Sequence, residues 1–184
     1  MGKKGAATRS ALIDSTQTLI ESGGYFGTGL NQVLADSGAP RGSLYFHFPG
    51  GKDELICEAI RQAGNSIDAI IDGIEAANTS ELMTVLLRAL GQRLEESDWN
   101  QGCPVATVAL ETSASNDAIQ QACSAAYRDW HKTLCKKLEA DGRVDTDDMA
   151  TFLLAVLEGA MVLARTHRRT DPLDAAIRII NNVL

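Results

Sequence analysis

The chain has 184 residues, of which 45% are hydrophobic and 22% are charged, and its formal net charge is −7 at pH 7. This hydrophobic fraction can build a real core, which argues against disorder. No apolar run approaches the roughly 20 residues that span a bilayer. The start, MGKKGAAT, lacks the apolar stretch of a secretory signal. We therefore expect a cytoplasmic protein without a membrane partner.

The charge is unevenly distributed along the chain. Residues 1–52 carry five basic and three acidic side chains, a net charge of +2, whereas the remainder carries 12 basic and 21 acidic side chains. The acidic part of the chain beyond residue 52 opposes nonspecific binding to nucleic-acid phosphates. Any contact with nucleic acid is therefore expected from the N-terminal part of the chain.

In chain order, the sequence predicts helices separated by short breakers, and no stretch alternates long enough to predict a strand. Thr8 and Thr28 are suitable N-caps for the first two helices, and Ser80 or Thr79 for the fifth. The prediction is an all-α fold of about nine helices. They run over residues 9–22, 29–35, 40–46, 52–76, 80–96, 103–113, 116–140, 146–166 and 172–184.

The second and third helices, joined by a tight turn and braced by the first, follow the helix-turn-helix plan. Gly38 lies where the turn requires a positive φ. Apolar side chains that would pack the pair together are Leu30, Val33, Leu34, Ala39 and Leu44. Phe46 and Phe48 are also expected in the core. We therefore expect a DNA-binding motif centred on residues 37–48.

Other side chains of the third helix are predicted to face outward or sideways. They are Pro40, Arg41, Ser43, Tyr45 and His47. Arg41 can reach guanine or phosphate with paired donors. Gly42 would let the backbone approach DNA closely, at a cost of about 1 kcal/mol relative to alanine within a helix.

Residues 9–60 resemble the DNA-binding head of the TetR/AcrR family of transcription regulators. The resemblance rests on the runs Gly24-Tyr25-Phe26, Ala39-Pro40-Arg41-Gly42-Ser43-Leu44-Tyr45-Phe46-His47-Phe48-Pro49 and Lys52-Asp53-Glu54-Leu55. It implies base or phosphate contacts by Arg41, Gly42, Ser43, Tyr45 and His47, with Thr28 and Lys52 as phosphate anchors.

Two departures from the commonest family pattern lie beside the motif. The Pro-Gly-Gly-Lys run ending at Lys52 has one extra glycine, and Arg41 stands where lysine is usual. The extra glycine and the run Gly102-Cys103-Pro104-Val105 resemble the LmrA/YxaF-like subgroup. The longer loop makes Lys52 a less secure phosphate contact.

The resemblance implies a helix-turn-helix DNA-binding domain at residues 1–51 and a helical ligand-binding and dimerisation domain at 52–184. It implies a repressor that leaves a palindromic operator in double-stranded DNA when a small hydrophobic or aromatic effector binds. Candidate effector-binding residues are Leu86, Leu90, Cys103, Val105, Trp130 and Phe152. The last two helices are apolar around more than one face, so they are expected to form a homodimer interface.

The sequence does not predict a metal site, a catalytic site or a cofactor site. His131 and Cys135, four residues apart, have workable metal spacing, but two ligands do not make a site. No nucleophile elbow or glycine-rich phosphate loop indicates an enzyme or a cofactor. The four cysteines form no CxxC pair and are expected to be reduced. An alternative function is a thiol-based redox-sensing regulator that uses Cys103, which lies near a helix start.

Overall fold

The computed structural model describes residues 3–184; Met1 and Gly2, with which the expected DNA-binding domain begins, lie outside the described residues. Across residues 3–184 the chain forms nine α-helices and no strand, which confirms the all-α prediction. The helices are α1 (Lys3–Gly27), α2 (Leu30–Ser37), α3 (Arg41–His47), α4 (Lys52–Gly73), α5 (Thr79–Glu96), α6 (Pro104–Thr112), α7 (Asp117–Ala140), α8 (Thr146–His167) and α9 (Asp171–Val183).

The first helix is longer than predicted at both ends. It begins at Lys3, and the Thr8 hydroxyl donates back to the Lys4 carbonyl (3.1 Å) instead of capping a helix start. The predicted break at the glycine pair is present as a kink, because Gly24 has a φ of 65°. The chain then makes one more turn to Gly27, so the glycine pair bends the helix without ending it.

Two predicted caps are wrong because neighbouring residues take their places. Gly29 is the N-cap of α2, while the Thr28 hydroxyl donates to the Gly24 carbonyl (2.7 Å). Asn78 is the N-cap of α5, and its side chain accepts the Glu81 N–H (2.9 Å). The predicted extension of α4 to residue 76 is also wrong, since this helix ends at Gly73.

The helices divide into two compact units. Unit 1 comprises the chain up to Asn65 together with Pro104–Ala126. In this unit α1 packs against α2, α3 and α6. Its fully buried apolar side chains include Leu12, Ile20, Val33, Leu44, Phe48, Ile60, Val105 and Ile119. Helix α6 and the first part of α7 therefore complete the core around the N-terminal helices.

The structure corrects one core prediction in α3. Phe48 is fully buried as predicted, but Phe46 is 73% exposed. Leu44 is the buried residue of this short helix. Because a residue two positions away lies on the opposite side of a helix, the phenyl ring of Phe46 points away from the side that Leu44 anchors.

Unit 2 comprises Ser66–Cys103 and Tyr127–Leu184. In it α5, α8 and α9 pack against one another. Its buried apolar side chains include Leu82, Leu87, Leu94, Trp130, Leu138, Leu153, Leu173 and Ile180. Helices α4 and α7 each contribute residues to both units.

Helix α8 is the one helix within residues 3–184 that is long and apolar enough to cross a membrane by length and composition alone. In this chain 33% of its most apolar stretch is buried. Exposed apolar side chains along α8 and α9 are Phe152, Val162, Leu163, Ile179 and Val183. A single helix of this kind is weak support for a membrane span, because helices that pair with another subunit have the same composition.

Candidate nucleic-acid interface and ligand site

The turn between α2 and α3 has the conformation that the sequence predicted. Gly38 caps α2 with a φ of 63°, in the left-handed region, and its N–H donates to the Ala35 carbonyl. Val33 of α2 and Leu44 of α3 are fully buried, and they fix the two short helices in unit 1. Leu30, Leu34 and Ala39 are half-buried. The turn therefore holds α3 by one side and leaves its other side uncovered.

The uncovered side of α3 carries most of the predicted DNA-contacting residues. Pro40, Arg41, Gly42 and Tyr45 are exposed, Tyr45 by 63% of its surface. The Arg41 guanidinium has no hydrogen bond or ion pair with another residue in the described part of the chain. A Cβ added at Gly42 would meet nothing within 4 Å. Packing within this chain therefore does not require glycine at this position.

Ser43 and His47 are half-buried and have partners close by. The Ser43 hydroxyl donates to the Pro40 carbonyl (2.6 Å). The His47 ring has edge contacts with Phe46 and Phe48, with ring centroids 5.0 and 6.4 Å apart. These two side chains support the first and last turns of α3, and their predicted contacts with DNA stay predictions.

The two predicted phosphate anchors differ in accessibility. The Thr28 side chain is buried, and its hydroxyl donates a hydrogen bond to the Gly24 carbonyl. Lys52 is half-buried, with its ammonium 4.3 Å from the Tyr25 ring centroid. Burial lowers the pKa of Lys52, although the charges of Asp53 and Glu111 oppose that effect. The extra glycine before it, Gly51, has a φ of 69°.

One polar cluster, which we call the Tyr25 cluster, links the end of α1 and the beginning of α4 to α6 and to the start of α7. It consists of Tyr25, Lys52, Asp53, Glu111 and Asn116, all in unit 1. The Tyr25 hydroxyl donates to Asp53 (2.7 Å), and the Asn116 amide donates to the other oxygen of the same carboxylate (2.8 Å). The hydrogen bond to Asp53, with burial and its charge, raises the pKa of Tyr25 to about 12.

Glu111 completes the Tyr25 cluster through the main chain. Its Oε2 accepts the N–H groups of Tyr25 (2.6 Å) and Phe26 (3.3 Å). The kink at Gly24 makes these two N–H groups available to a side-chain acceptor. A Cβ at Gly24 would lie 2.5 Å from both Glu111 carboxylate oxygens. The close approach and the positive φ both require glycine at this position.

The predicted effector-binding residues are spread over the two units. Val105 is fully buried in unit 1, whereas the other five lie in unit 2. There, Leu86 and Trp130 are buried, Leu90 and Cys103 are half-buried, and Phe152 is 38% exposed. Cys103 and Trp130 each contact one of two further residues of unit 2 that the sequence did not indicate. The four residues form one polar cluster.

Those two residues are Tyr127 and Glu158. The Tyr127 hydroxyl donates to Glu158 Oε1 (3.0 Å), and its ring contacts Trp130 edge-on with centroids 5.1 Å apart. The Cys103 thiol also hydrogen-bonds the Glu158 carboxyl group. Glu158 Oε2 is buried without a partner among the described residues. Burial raises the pKa of Glu158, against the opposing effect of both hydrogen bonds.

Unit 2 also has a shallow groove between α5 and α9, with a volume of about 180 Å³. Leu87, Arg88, Leu173 and Asp174 are among the residues that line it. Small-molecule sites usually measure about 300–1,000 Å³. This groove is therefore small for a drug-sized molecule.

The four cysteines are free thiols in the structure. Cys57 and Cys123 are buried in unit 1, and burial raises the pKa of both, that of Cys123 to about 11. Burial and the negative charges of Asp147 and Glu139 raise the pKa of Cys135. These three thiols are therefore poor nucleophiles at neutral pH, because the thiolate is the reactive form.

Comparisons with known proteins agree with this architecture. The model of the C-terminal domain of LmrA/YxaF-like transcriptional regulators matches residues 79–179. The HTH-type transcriptional regulator LmrA of Bacillus subtilis is 34% identical over 170 residues, which cover 90% of this chain and 90% of LmrA. An uncharacterized HTH-type transcriptional regulator of Mycobacterium tuberculosis is 35% identical, covering 96% of this chain and 93% of that protein.

Solved structures show the same fold over the whole chain. A TetR transcriptional regulator from Legionella pneumophila has a TM-score of 0.84 and 18% sequence identity, and the match covers 100% of this chain and 98% of that one. A TetR transcriptional regulator from Chloroflexus aurantiacus has a TM-score of 0.80 and 25% identity, covering 97% and 94%.

Proposed function

Since this chain belongs to the TetR family of transcriptional regulators, in the LmrA/YxaF-like group, we propose that it is a repressor that binds a palindromic operator as a homodimer. Residues 1–51 form its DNA-binding domain, and residues 52–184 form its ligand-binding and dimerisation domain. In each subunit α3 enters the major groove, and the two half-sites lie about one helical turn apart.

The observation that carries this proposal is the uncovered side of α3. It presents Arg41, which has no partner within the described chain, next to Gly42, whose Cβ position is open, and the exposed Tyr45. Arg41 can bind a guanine edge with two donors while the glycine admits a sugar-phosphate backbone. Pro40, Ser43 and His47 flank this surface. Lys52 and Thr28 are the proposed phosphate anchors.

The test is a gel-shift titration on the DNA upstream of the protein's own gene. Arg41→Ala and Tyr45→Ala are expected to weaken binding about fivefold or more, since a good base contact contributes about 1–3 kcal/mol. Arg88→Ala, which removes an exposed arginine of α5, serves as the matched control. Unchanged binding by both α3 variants would remove α3 from the DNA interface.

The homodimer is proposed to form through α8 and α9. The exposed apolar residues Phe152, Val162 and Leu163 of α8 recur at helical spacing with the exposed Gly159 between them. A Cβ at Gly159 would meet nothing within 4 Å in this chain. An uncovered apolar stripe with a small residue at its centre suits close approach of a second copy. With α9, two copies would form a four-helix interface.

The effector is proposed to bind unit 2 near Glu158, Tyr127, Trp130 and Cys103. A hydrophobic or aromatic molecule fits the indole and phenol rings. The buried Glu158 Oε2 lacks a hydrogen-bond partner, which costs about 1–3 kcal/mol. An effector that carries a hydroxyl or another N–H or O–H donor would satisfy this oxygen, so the proposed effector is a hydrophobic or aromatic molecule with one such donor.

Release from the operator requires that the effector bind better to a second conformation. Helices α4 and α7 each contribute residues to both units, so they give a change in unit 2 a covalent route to unit 1. Within unit 1, Glu111 of α6 holds the main chain at the end of α1. A shift of α6 would therefore reposition α1 and the two helices packed on it.

The alternative is a redox-sensing regulator that uses Cys103. The Cys103 thiol hydrogen-bonds a carboxyl group, whereas reactive thiolates are usually stabilised by cations. Hydrogen peroxide treatment separates the two functions. If operator binding survives the oxidant, or is lost equally in Cys103→Ser, Cys103 is not a redox sensor. Loss in the wild type alone would support the alternative.

The cytoplasmic location is part of the same proposal, because an operator-binding protein works where the DNA is. Under it, the apolar surface of α8 is covered by a second subunit rather than by lipid. Fractionation of cells that express the full chain tests this point. Recovery in the membrane fraction after a high-salt wash would contradict it.

A further inference from the structure

Three side chains that can bind a metal ion come together in unit 2, where the later part of α7 lies beside the first turn of α8. His131 and Cys135 are one turn apart on α7, and Asp147 belongs to α8. An imidazole nitrogen, the cysteine sulfur and a carboxylate oxygen all lie within 4.8 Å of one another. Asp147 is thus the third ligand that the sequence pattern of His131 and Cys135 lacked.

The trio is close enough to share one ion after side-chain rotation. His131 Nδ1 faces Cys135 Sγ at 3.6 Å, while Nε2 lies 3.6 Å from an Asp147 carboxylate oxygen, and only one of these two nitrogens can bind the ion. Bonds of about 2.0–2.3 Å to zinc place neighbouring ligand atoms about 3.3–3.8 Å apart in a tetrahedron. Because one nitrogen, the sulfur and one carboxylate oxygen lie within 4.8 Å of one another, rotation of the exposed Asp147 side chain can direct all three at a common centre.

The surroundings favour a cation at this centre. The Asp147 side chain is 91% exposed, which leaves room for a water molecule as a fourth ligand. The Cys135 thiol donates to the Thr146 carbonyl (3.5 Å), and the Asp147 carbonyl lies 3.1 Å from His131 Nε2, so two main-chain oxygens border the position. Cys135 would bind a metal as the thiolate, so together with the Asp147 carboxylate it would bring two negative charges to a dication.

We propose that His131, Cys135 and Asp147 form a zinc-binding site that links α7 to the start of α8 within each subunit. Sulfur and imidazole ligands select zinc or a similar transition metal, whereas calcium and magnesium prefer sites made of oxygen atoms alone. Three protein ligands leave one coordination position open to solvent or to an exogenous ligand. The site shares no residue with those proposed to bind DNA or with Glu158, Tyr127, Trp130 and Cys103, near which the effector is proposed to bind.

Cobalt(II) is the probe for this site, because it replaces zinc and reports its ligands by absorption. The full-length protein, reduced and freed of metal with a chelator, is titrated with cobalt(II). We expect one ion per subunit, a sulfur-to-cobalt charge-transfer band, visible bands typical of tetrahedral geometry, and displacement by zinc. Absence of the charge-transfer band, or saturation at one ion per two subunits, would overturn the proposal.

Variants identify the ligands. Cys135→Ser is expected to abolish the charge-transfer band, and His131→Ala and Asp147→Asn to weaken cobalt binding at least tenfold. Asp148→Asn and His167→Ala, which change exposed groups outside the trio, are the matched controls and should bind like the wild type. A charge-transfer band that persists in Cys135→Ser, or equal weakening by Asp147→Asn and Asp148→Asn, would contradict the assignment.

Thermal unfolding gives a second readout that is independent of the spectrum. A ligand that binds the folded state alone raises the unfolding temperature. At a zinc concentration near the dissociation constant of the wild type, the unfolding temperature should therefore rise for the wild type and for Asp148→Asn, and much less for Asp147→Asn. Because the Asp147 side chain is so exposed, this substitution is expected to leave the fold intact, so a failure to fold cannot obscure the result.

Discussion

Glu111 accepts a hydrogen bond of 2.6 Å from the main-chain N–H of Tyr25, across 86 positions of the sequence. The N–H is available because Gly24 kinks α1 with a positive φ, and the carboxylate occupies the space that a side chain at Gly24 would need. A residue of α6 thus fixes the orientation of the chain at the end of α1.

Gly24→Ala is expected to destabilise the protein by about 2 kcal/mol or more. A left-handed φ costs an L-residue about 1–2 kcal/mol, and displacing Glu111 removes a charge-assisted hydrogen bond. Urea unfolding measures the loss. The control is Gly23→Ala, which meets no neighbouring atom and is expected to be neutral or stabilising. Equal stabilities for the two variants would contradict the role assigned to Glu111.

Gly42→Ala is expected to separate stability from DNA binding. Alanine raises helix propensity by up to about 1 kcal/mol, and the open space at Gly42 accepts a methyl group without a clash. The free energy of unfolding should therefore rise slightly while operator affinity falls, because the methyl group blocks close approach of DNA. Denaturant unfolding and gel-shift titration together test this. A variant that binds the operator as tightly as the wild type would show that Gly42 does not approach DNA.

Leu163→Glu is expected to weaken dimerisation at least tenfold, about 1.4 kcal/mol, because it places a charge in the proposed apolar interface. Sedimentation velocity across a concentration series measures the shift to monomer. Val144→Glu makes the same change at a side chain that is 99% exposed outside α8 and α9, and it should leave the association unchanged. If the wild type itself sediments as a monomer, the interface proposal fails.

Glu158→Gln is expected to flatten the dependence of stability on pH. Burial raises the pKa of Glu158 above its ordinary value of 4.5, so the folded protein holds this proton more tightly than the unfolded chain does. The stability that the proton confers is complete below pH 4.5 and is lost as the pH rises through the folded pKa. Glutamine does not titrate, so the variant should gain on the wild type between pH 4 and pH 8.

Urea unfolding at pH 4, 6 and 8 checks this prediction, with Glu139→Gln as the control at an exposed carboxyl group of α7. A stability difference between Glu158→Gln and the wild type that stays constant with pH would show that Glu158 is not perturbed. The same variant should keep its operator affinity, since Glu158 lies outside the residues proposed to bind DNA.

Local patterns predicted the number of helices and the turn at Gly38, because hydrophobic spacing and glycine's conformational freedom act over a few residues. They failed where a distant residue decides the outcome. Thr28 does not cap α2, since the kink at Gly24 offers it a carbonyl acceptor. Phe46 is apolar yet exposed, because Leu44 alone fixes the inward side of α3.

The candidate sites show the same limit. The α3 surface could be predicted because its residues are consecutive. Tyr127 lies three residues before Trp130 on α7, but Glu158 belongs to α8 and Cys103 precedes α6, so no local spacing links the four residues. Asp147 joins His131 and Cys135 only through the packing of α7 and α8, so the sequence offered two metal ligands where the fold brings three.

Unit 1 is discontinuous in sequence, because the segment Pro104–Ala126 belongs to the same compact unit as α3. A fragment that stops near residue 51 would leave α1 without α6 and Tyr25 without its carboxylate acceptor. Exchanging heads between relatives at that boundary would likewise join one protein's α1 to another protein's α6. A successful chimera has to carry Glu111 and its neighbours along with the motif that reads DNA.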